Sequence, residues 1–130
     1  KDSARPDRLK LLGIALQNMV FLNDVNTAYI TLSQDELDAC NFQKGDSEGF
    51  VNYGLSVAGI QIAVLMIEYR NEGVVKFSFR SKGDVAVNTF AKTYFEGGGH
   101  INAAGGISKR SLAKTEAYFI ESLRTFFGNS

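Results

Sequence analysis

Residues 94–106 read Tyr94-Phe95-Glu96-Gly97-Gly98-Gly99-His100-Ile101-Asn102-Ala103-Ala104-Gly105-Gly106. This segment carries the only histidine of the chain and has very little side-chain bulk around it. Glycine accepts positive φ and lets the backbone come close to a ligand, so a turn of three glycines can point successive N–H groups at one anion. If a helix begins at His100, its free N–H groups and positive end face the same spot. This arrangement favours a phosphate, and the alternative is a tight or flexible turn whose lone histidine is purely structural.

The composition is that of one ordinary globular domain. The chain has 130 residues, 45% of them hydrophobic and 22% charged, which is enough for a single core. Lys plus Arg and Asp plus Glu both number 14, so nothing in the overall charge favours duplex DNA or a membrane. Cys40 is the only cysteine, and we expect a buried thiol. The longest apolar run, residues 60–67, is too short to cross a bilayer, and we expect a cytoplasmic location.

Hydrophobic periodicity predicts the elements of the first half. Residues 1–7 are polar and are expected to be the end of a linker, followed by one domain over 8–130. The apolar spacing predicts a helix over 8–23 and a strand over 25–32. The capping box Ser33-Gln34-Asp35-Glu36 predicts a short helix to about residue 41, and a turn at 44–47 is expected to begin another helix. Because the chain begins with Lys1, we expect it to be part of a longer protein.

The second half contains a predicted β-hairpin. Residues 60–69 are apolar on both alternating faces and predict a central strand, and residues 74–82 predict its antiparallel partner after a turn at 70–73. Cations on one strand face usually form a solvated surface, but Arg80 lies near the strand end and is the best candidate for a functional contact. The second strand alternates between two sets of side chains, Val75, Phe77 and Phe79 on one face and Lys76, Ser78, Arg80 and Lys82 on the other.

Two further helices complete the predicted fold. A helix capped by Asp84 or Asn88 leads into the glycine segment, and residues 107–109 are expected to form a short edge strand or an extended link. Residues 111–127 predict a helix whose aromatic side chains belong to the core rather than to a base-stacking platform. Together the elements predict an α/β fold, a single compact domain with a mixed β-sheet of about four or five strands flanked by helices.

Three segments resemble the motifs of a known family. Residues 97–105, Gly97-Gly98-Gly99-His100-Ile101-Asn102-Ala103-Ala104-Gly105, resemble the GGGHxxAAG signature of the DHHA1 domain of DHH-DHHA1 phosphoesterases. The oligoribonuclease (nano-RNase) branch of that family, which also hydrolyses 3′-phosphoadenosine 5′-phosphate, has segments similar to two others. These are Ser78-Phe79-Arg80-Ser81-Lys82-Gly83, followed by Asp84, Val87 and Asn88, and Asp46-Ser47-Glu48-Gly49-Phe50-Val51-Asn52-Tyr53.

The resemblance implies a substrate-binding role for this chain. It places the arginine that matches Arg80 in the substrate groove, where a planar guanidinium can hold a phosphate through two hydrogen bonds. The chain has one histidine, no Asp-His-His triplet and no DxD pair, so we expect no catalytic residue and no metal ligand in it. The family's manganese is expected in an upstream DHH domain, and this chain alone is expected to be inactive. The expected substrate-binding residues are Arg80, Ser81, Gly97, Gly98, Gly99, His100 and Asn102.

The implied substrates are short single-stranded RNA or a mononucleotide phosphate such as 3′-phosphoadenosine 5′-phosphate. The expected partners are the DHH domain of the same polypeptide and a second copy in a homodimer, without membrane contact. Relatives that cleave cyclic dinucleotides, remove nucleotides from single-stranded DNA, hydrolyse inorganic pyrophosphate or act like exopolyphosphatases remain alternatives. A different alternative is the tRNA-binding and oligomerisation module that ends alanyl-tRNA synthetases, although tRNA binding requires a broader basic surface than zero net charge suggests. A regulatory module with a structural glycine turn is the remaining alternative.

Overall fold

Helices and strands alternate along the chain around one β-sheet. The computed structural model describes residues 5–128. The helices in that range are α1 Pro6–Gln17, α2 Gln34–Ala39, α3 Asn52–Leu55, α4 Val87–Tyr94 and α5 Leu112–Phe127. The strands are β1 Val20–Leu22, β2 Thr27–Leu32, β3 Ile62–Tyr69, β4 Val74–Ser81, β5 Gly98–His100 and β6 Ala103–Ser108. Short 3₁₀ helices at Asn23–Val25 and Arg70–Glu72 precede β2 and β4.

The sheet is mixed, and its strands lie in the order β1-β2-β3-β4-β6-β5. β2 and β3 run parallel, and the other neighbouring pairs run antiparallel. The predicted α/β class, the mixed sheet and the β3–β4 hairpin are confirmed, but the sheet has six strands rather than four or five. The unpredicted strand residues are 20–22, predicted as a helix end, and those of β5 and β6 up to residue 106, predicted as a turn and a helix start.

Each face of the sheet has its own hydrophobic core. α4 and α5 cover one face, where Phe79, Phe90, Phe95 and Phe119 are fully buried. Their rings meet edge to face or tilted, an arrangement that adds to the stabilisation from burial. α1, α2 and the segment at 50–55 cover β2 and β3 on the other face, and the buried thiol predicted for Cys40 is confirmed there. No helix within residues 5–128 is both long enough and apolar enough to span a membrane.

Several predicted boundaries in the first half are wrong for local reasons. α1 ends at Gln17 rather than near residue 23, because the Asn18 side-chain amide donates to the Thr31 carbonyl at 2.9 Å and turns the chain into β1. α1 begins at Pro6, inside the expected linker 1–7, of which residues 1–4 lie outside the described range. The helix expected after residue 47 is reduced to α3, since Gly49 takes a positive φ and interrupts it.

The boundaries around the glycine segment also differ from the prediction. Neither Asp84 nor Asn88 caps α4, because the N-cap residue is Ala86 and the first helical N–H, that of Val87, donates to the Ile101 carbonyl at 2.9 Å. No helix begins at His100, which ends β5. Residues 107–108 belong to β6, which lies between β4 and β5 and is not an edge strand. The capping box at Ser33 is confirmed by both of its hydrogen bonds with Glu36.

Asp46 fixes the start of α1 to the loop after α2. Arg5 Nη1 donates to both carboxylate oxygens at 2.7 Å, and the Gln43 N–H donates to one of them at 2.8 Å. The Arg5 guanidinium holds the pKa of Asp46 below its ordinary value of 3.8. Asp46 opens the segment 46–53, so this part of the predicted motif has a structural role.

The lowered pKa of Asp46 predicts a pH-dependent contribution to stability. Because the folded pKa lies below the unfolded one, the contribution is complete above about pH 4 and is lost as the pH falls through the folded pKa. We expect Asp46→Asn to lower the free energy of unfolding near neutral pH and to flatten its decline in acid, measured by urea unfolding at several pH values. Asp84→Asn, a change at an exposed carboxylate, is the control, and identical acid profiles for wild type and Asp46→Asn would contradict the assignment.

Candidate functional site

Half of one sheet face has no buried side chain. Pairing across β4, β6 and β5 places eight residues on the face opposite α4 and α5, and each is exposed or only partly buried. The neighbouring half of the same face is covered, because α3 packs on β2 and β3. We call the uncovered half the open floor, and its residues are Lys76, Ser78, Arg80, Gly98, His100, Ala103, Gly105 and Ile107.

Arg80 and His100 lie in one row across the open floor. Arg80 pairs with Ala103, and Ala103 pairs with His100, so the three side chains point to the same face. Two strand spacings separate the Cα atoms of Arg80 and His100, a distance of about 10 Å. Both polar groups therefore flank the small side chain of Ala103.

The Arg80 guanidinium has donors to spare. Its Nη1 donates to the Phe79 carbonyl at 2.9 Å, and Nε and Nη2 make no hydrogen bond within residues 5–128. The imidazole of His100 is exposed, so it is not enclosed in the core. A guanidinium with a free edge can bind a phosphate through two parallel hydrogen bonds.

The neighbouring row of the open floor, which begins two residues before Arg80 on β4, consists of Ser78, Gly105 and Gly98. A Cβ atom on Gly98 would meet nothing within 4 Å, and one on Gly105 would lie 3.4 Å from the Phe77 carbonyl, an ordinary contact. Neither glycine has a positive φ. The fold therefore does not require glycine at either position, although glycine weakens a strand. Their effect is to keep the floor low beside the row of Arg80, Ala103 and His100.

Gly97 and Gly99, in contrast, are required by packing. A Cβ on Gly97 would overlap the Gly105 carbonyl oxygen, and one on Gly99, whose φ is +140°, would lie 2.7 Å from the Ala103 carbonyl oxygen. These two glycines let β5 approach β6 closely. Gly97 also ends α4, since its N–H donates to the Ala91 carbonyl at 3.1 Å. The prediction of an anion-binding turn with three consecutive free amides is therefore wrong. Residues 98–100 form a strand, and one of the three amides is already hydrogen-bonded.

Ser81 and Asn102 form an internal network. The Ser81 side chain is buried on the face opposite Arg80, and its hydroxyl lies 2.6 Å from the Val85 carbonyl and 3.2 Å from that of Ile101. Asn102 Nδ2 donates to Ser81 Oγ at 2.9 Å and to the Gly83 carbonyl at 3.1 Å. This geometry gives no support to direct phosphate contacts from either side chain. The network instead joins the end of β4, just after Arg80, to the turn that follows His100.

Three open-floor residues, Ser78, Ala103 and Gly105, are not among the predicted site residues. The alternation along the β4 segment already placed Ser78 beside Arg80, but the partner strand was predicted as a helix start. Without β6, nothing in the sequence indicated that Gly105 lies between Ser78 and Gly98.

A second surface touches the same glycines. A cavity of about 550 Å³ lies between β5 and α4, and Lys92 is its cation. It opens beside Asn88, Thr89 and residues 97–99, whereas Arg80 and His100 do not line it. Within residues 5–128, no three His, Cys, Asp or Glu side chains stand close enough together to hold a metal ion. The described residues therefore do not fit a manganese centre.

Comparisons with known proteins agree with this architecture. The family model of the DHHA1 domain matches residues 24–128. The crystal structure of an exopolyphosphatase-related protein from Bacteroides fragilis is similar with a TM-score of 0.90 and 34% identity, over 96% of this chain and 36% of that one. A pGpG-specific phosphodiesterase from Vibrio cholerae shares the fold, with a TM-score of 0.65 and 12% identity over 94% of this chain and 39% of that one. The chain thus spans less than two fifths of either protein, and a search of curated proteins found no significant match.

Alanine substitution is expected to lower the stability of the fold at Gly99 but not at Gly98. Gly99→Ala is expected to lower the free energy of unfolding by about 1–3 kcal/mol, since the methyl group collides with β6 and the backbone must leave its positive φ. Gly98→Ala, the matched control one residue away, should stay within about 0.5 kcal/mol of wild type. Urea unfolding measures both, and equal losses in the two variants would show that the strand contact does not distinguish them.

Proposed function

This chain belongs to the DHHA1 domain family, and from that premise we propose that it is the substrate-binding part of a DHH-family phosphoesterase. The proposed substrates are short oligoribonucleotides and 3′-phosphoadenosine 5′-phosphate, which share a terminal phosphate on a nucleoside. The observation that supports this proposal most is the open floor, where Arg80 and His100 flank the small side chain of Ala103 and the neighbouring row carries only Ser78 and two glycines.

The proposed role of each group follows from its chemistry. Arg80 binds two phosphate oxygens, and His100 contacts the same phosphate from the other side of Ala103. Gly98 and Gly105 leave space for the substrate above the sheet. Ser81 and Asn102 are positioning residues, because their network fixes the backbone on which Arg80 and His100 stand.

This chain binds and orients the substrate, whereas bond cleavage is assigned to another domain. The described residues offer no metal site, so we propose that a manganese-dependent DHH domain of the same polypeptide supplies the hydrolytic chemistry. Holding the phosphate in one place raises the rate by positioning alone, and a misplacement of about 1 Å can cost about 100-fold. We further propose that the protein works in the cytoplasm, in keeping with its lone buried cysteine.

Inorganic polyphosphate is a second candidate substrate. It is favoured by the 34% identity to the exopolyphosphatase-related protein from Bacteroides fragilis. The two candidates differ in what lies beyond the first phosphate, because a nucleotide carries a sugar and a base. Competition between tripolyphosphate and adenosine 5′-monophosphate (AMP) for this chain separates them: preference for the nucleotide supports the first proposal, and preference for tripolyphosphate supports the second.

Two substitutions test the proposed phosphate site without removing a core residue. We expect Arg80→Ala to weaken AMP binding by about 10- to 100-fold, the value of charged hydrogen bonds to a phosphate. Gly98→Val should weaken binding to a similar extent while leaving the melting temperature nearly unchanged, because its side chain would occupy the floor. Arg124→Ala, which removes an exposed guanidinium on α5, is the control. Binding is followed by NMR titration of the 130-residue chain.

The same variants make a kinetic prediction for the full-length enzyme. Arg80→Ala and His100→Ala should reduce turnover of di- to tetranucleotides and leave the bound manganese in place. AMP affinity and turnover that remain at the wild-type level in Arg80→Ala would overturn the proposed function.

A further inference from the structure

The open floor continues into a cavity at its other end. This cavity has a volume of about 390 Å³ and lies between the loop at 42–47 and the turn that joins β3 to β4. Lys76, the β4 residue of the open floor that lies farthest from Arg80, lines it together with Lys44, Phe42 and Tyr69. We call it the distal cavity.

A continuous path connects the distal cavity with Arg80. Lys76, Ser78 and Arg80 alternate along β4 and point to the same face, and four residues of strand separate the two cations by about 13 Å. Between them the floor consists of Ser78 and Gly105, so no large side chain blocks the way. The two cations are too far apart and differently oriented to bind one anion together. The Arg80 guanidinium donates to the Phe79 carbonyl, and the Lys76 ammonium lies over the Tyr69 ring.

The side chains of the distal cavity combine cations with aromatic rings. Lys76 Nζ lies 4.8 Å from the centre of the Tyr69 ring, and the Phe42 and Tyr69 rings meet edge to face at 6.3 Å. Burial raises the pKa of Tyr69, so its phenol stays neutral. Among the described residues, Glu72 is the one acidic group that lines the cavity. Positive charge beside aromatic faces is the combination with which proteins hold single-stranded nucleic acids.

The pair between Lys76 and Glu72 does not prevent phosphate binding. The two charged atoms are 3.4 Å apart, and both side chains are at least half exposed. An exposed pair of this kind contributes little to stability, so a phosphate can replace the carboxylate at small cost. Lys44 is exposed and adds a second positive charge on the opposite wall of the cavity.

Resting on the proposed function, we infer that the distal cavity is a second nucleotide subsite, which binds a later nucleotide of a single-stranded oligonucleotide whose end lies at Arg80. Lys76 and Lys44 hold the backbone phosphate there, and the base stacks on the exposed part of the Tyr69 and Phe42 pair. A mononucleotide occupies the Arg80 end alone. The subsite therefore makes the chain prefer substrates of more than one nucleotide.

The test compares AMP with the trinucleotide pApApA on the 130-residue chain. Lys76→Ala is expected to leave AMP affinity unchanged and to weaken pApApA binding by about 3- to 10-fold. It should also reduce the slope of log affinity against log salt concentration by about 0.7 for pApApA, the loss of one phosphate contact on a single strand. Lys10→Ala, an exposed lysine on α1, is the matched control. A constant ratio of pApApA to AMP affinity in Lys76→Ala overturns the inference.

Two further variants separate stacking from packing and this inference from the proposed function. Tyr69→Phe keeps the ring and should bind pApApA like wild type, whereas Tyr69→Leu should bind it more weakly, with thermal melts to confirm that both are folded. Equal binding by both folded variants would contradict the stacking role. Arg80→Ala should lower the affinity for AMP and pApApA alike. A loss in Arg80→Ala together with an unchanged ratio in Lys76→Ala rejects the distal subsite and retains the proposed function, and the absence of any loss in Arg80→Ala rejects the proposed function itself.

Discussion

The close contact between β5 and β6 is the constraint on which the site depends. Gly97 and Gly99 lie so near the backbone of β6 that a side chain at either position would force the strands apart. This contact sets the register that pairs His100 with Ala103, and the next register pairs Ala103 with Arg80. The imidazole and the guanidinium thus share a face and a spacing because the main chain is packed in one way, without any bond between the two groups. A site fixed by strand register is pre-organised, which reduces the ordering cost of binding.

The remaining features of the site follow from the same sheet. Gly98 and Gly105 lie on its open side, where a side chain would have room. Because these two residues have no side chains, they leave space for a ligand. On the opposite side, Ser81 and Asn102 join the ends of β4 and β5 through hydrogen bonds to neighbouring carbonyls. The hydrogen bonds on the covered side hold the backbone rigid, and the small residues on the open side leave space for a ligand. Both features favour phosphate binding, because donors that do not have to move bind a phosphate most tightly.

Much of this arrangement could be predicted from the sequence, and most of the errors at the site come from two strands that the sequence does not reveal. The alternation in residues 74–82 correctly separated the buried Phe77 and Phe79 from the face that carries Arg80. The family motifs also identified the glycine segment. Periodicity could not reveal β5 and β6, because glycine and alanine have weak strand preferences and carry no apolar alternation. Because those strands are not predicted, the amides of residues 97–99 are expected to face an anion. Ser81 is expected to join them, whereas the alternation along β4 places its side chain on the buried face.

We propose that a nucleotide phosphate binds between Arg80 and His100, over Ala103 and beside Gly98 and Gly105. A crystal structure of the chain with AMP bound tests it most directly. We expect phosphate oxygens within hydrogen-bonding distance of the Arg80 guanidinium, with the imidazole of His100 on the other side. A phosphate bound instead in the cavity between β5 and α4, out of hydrogen-bonding distance of the Arg80 guanidinium, would contradict it.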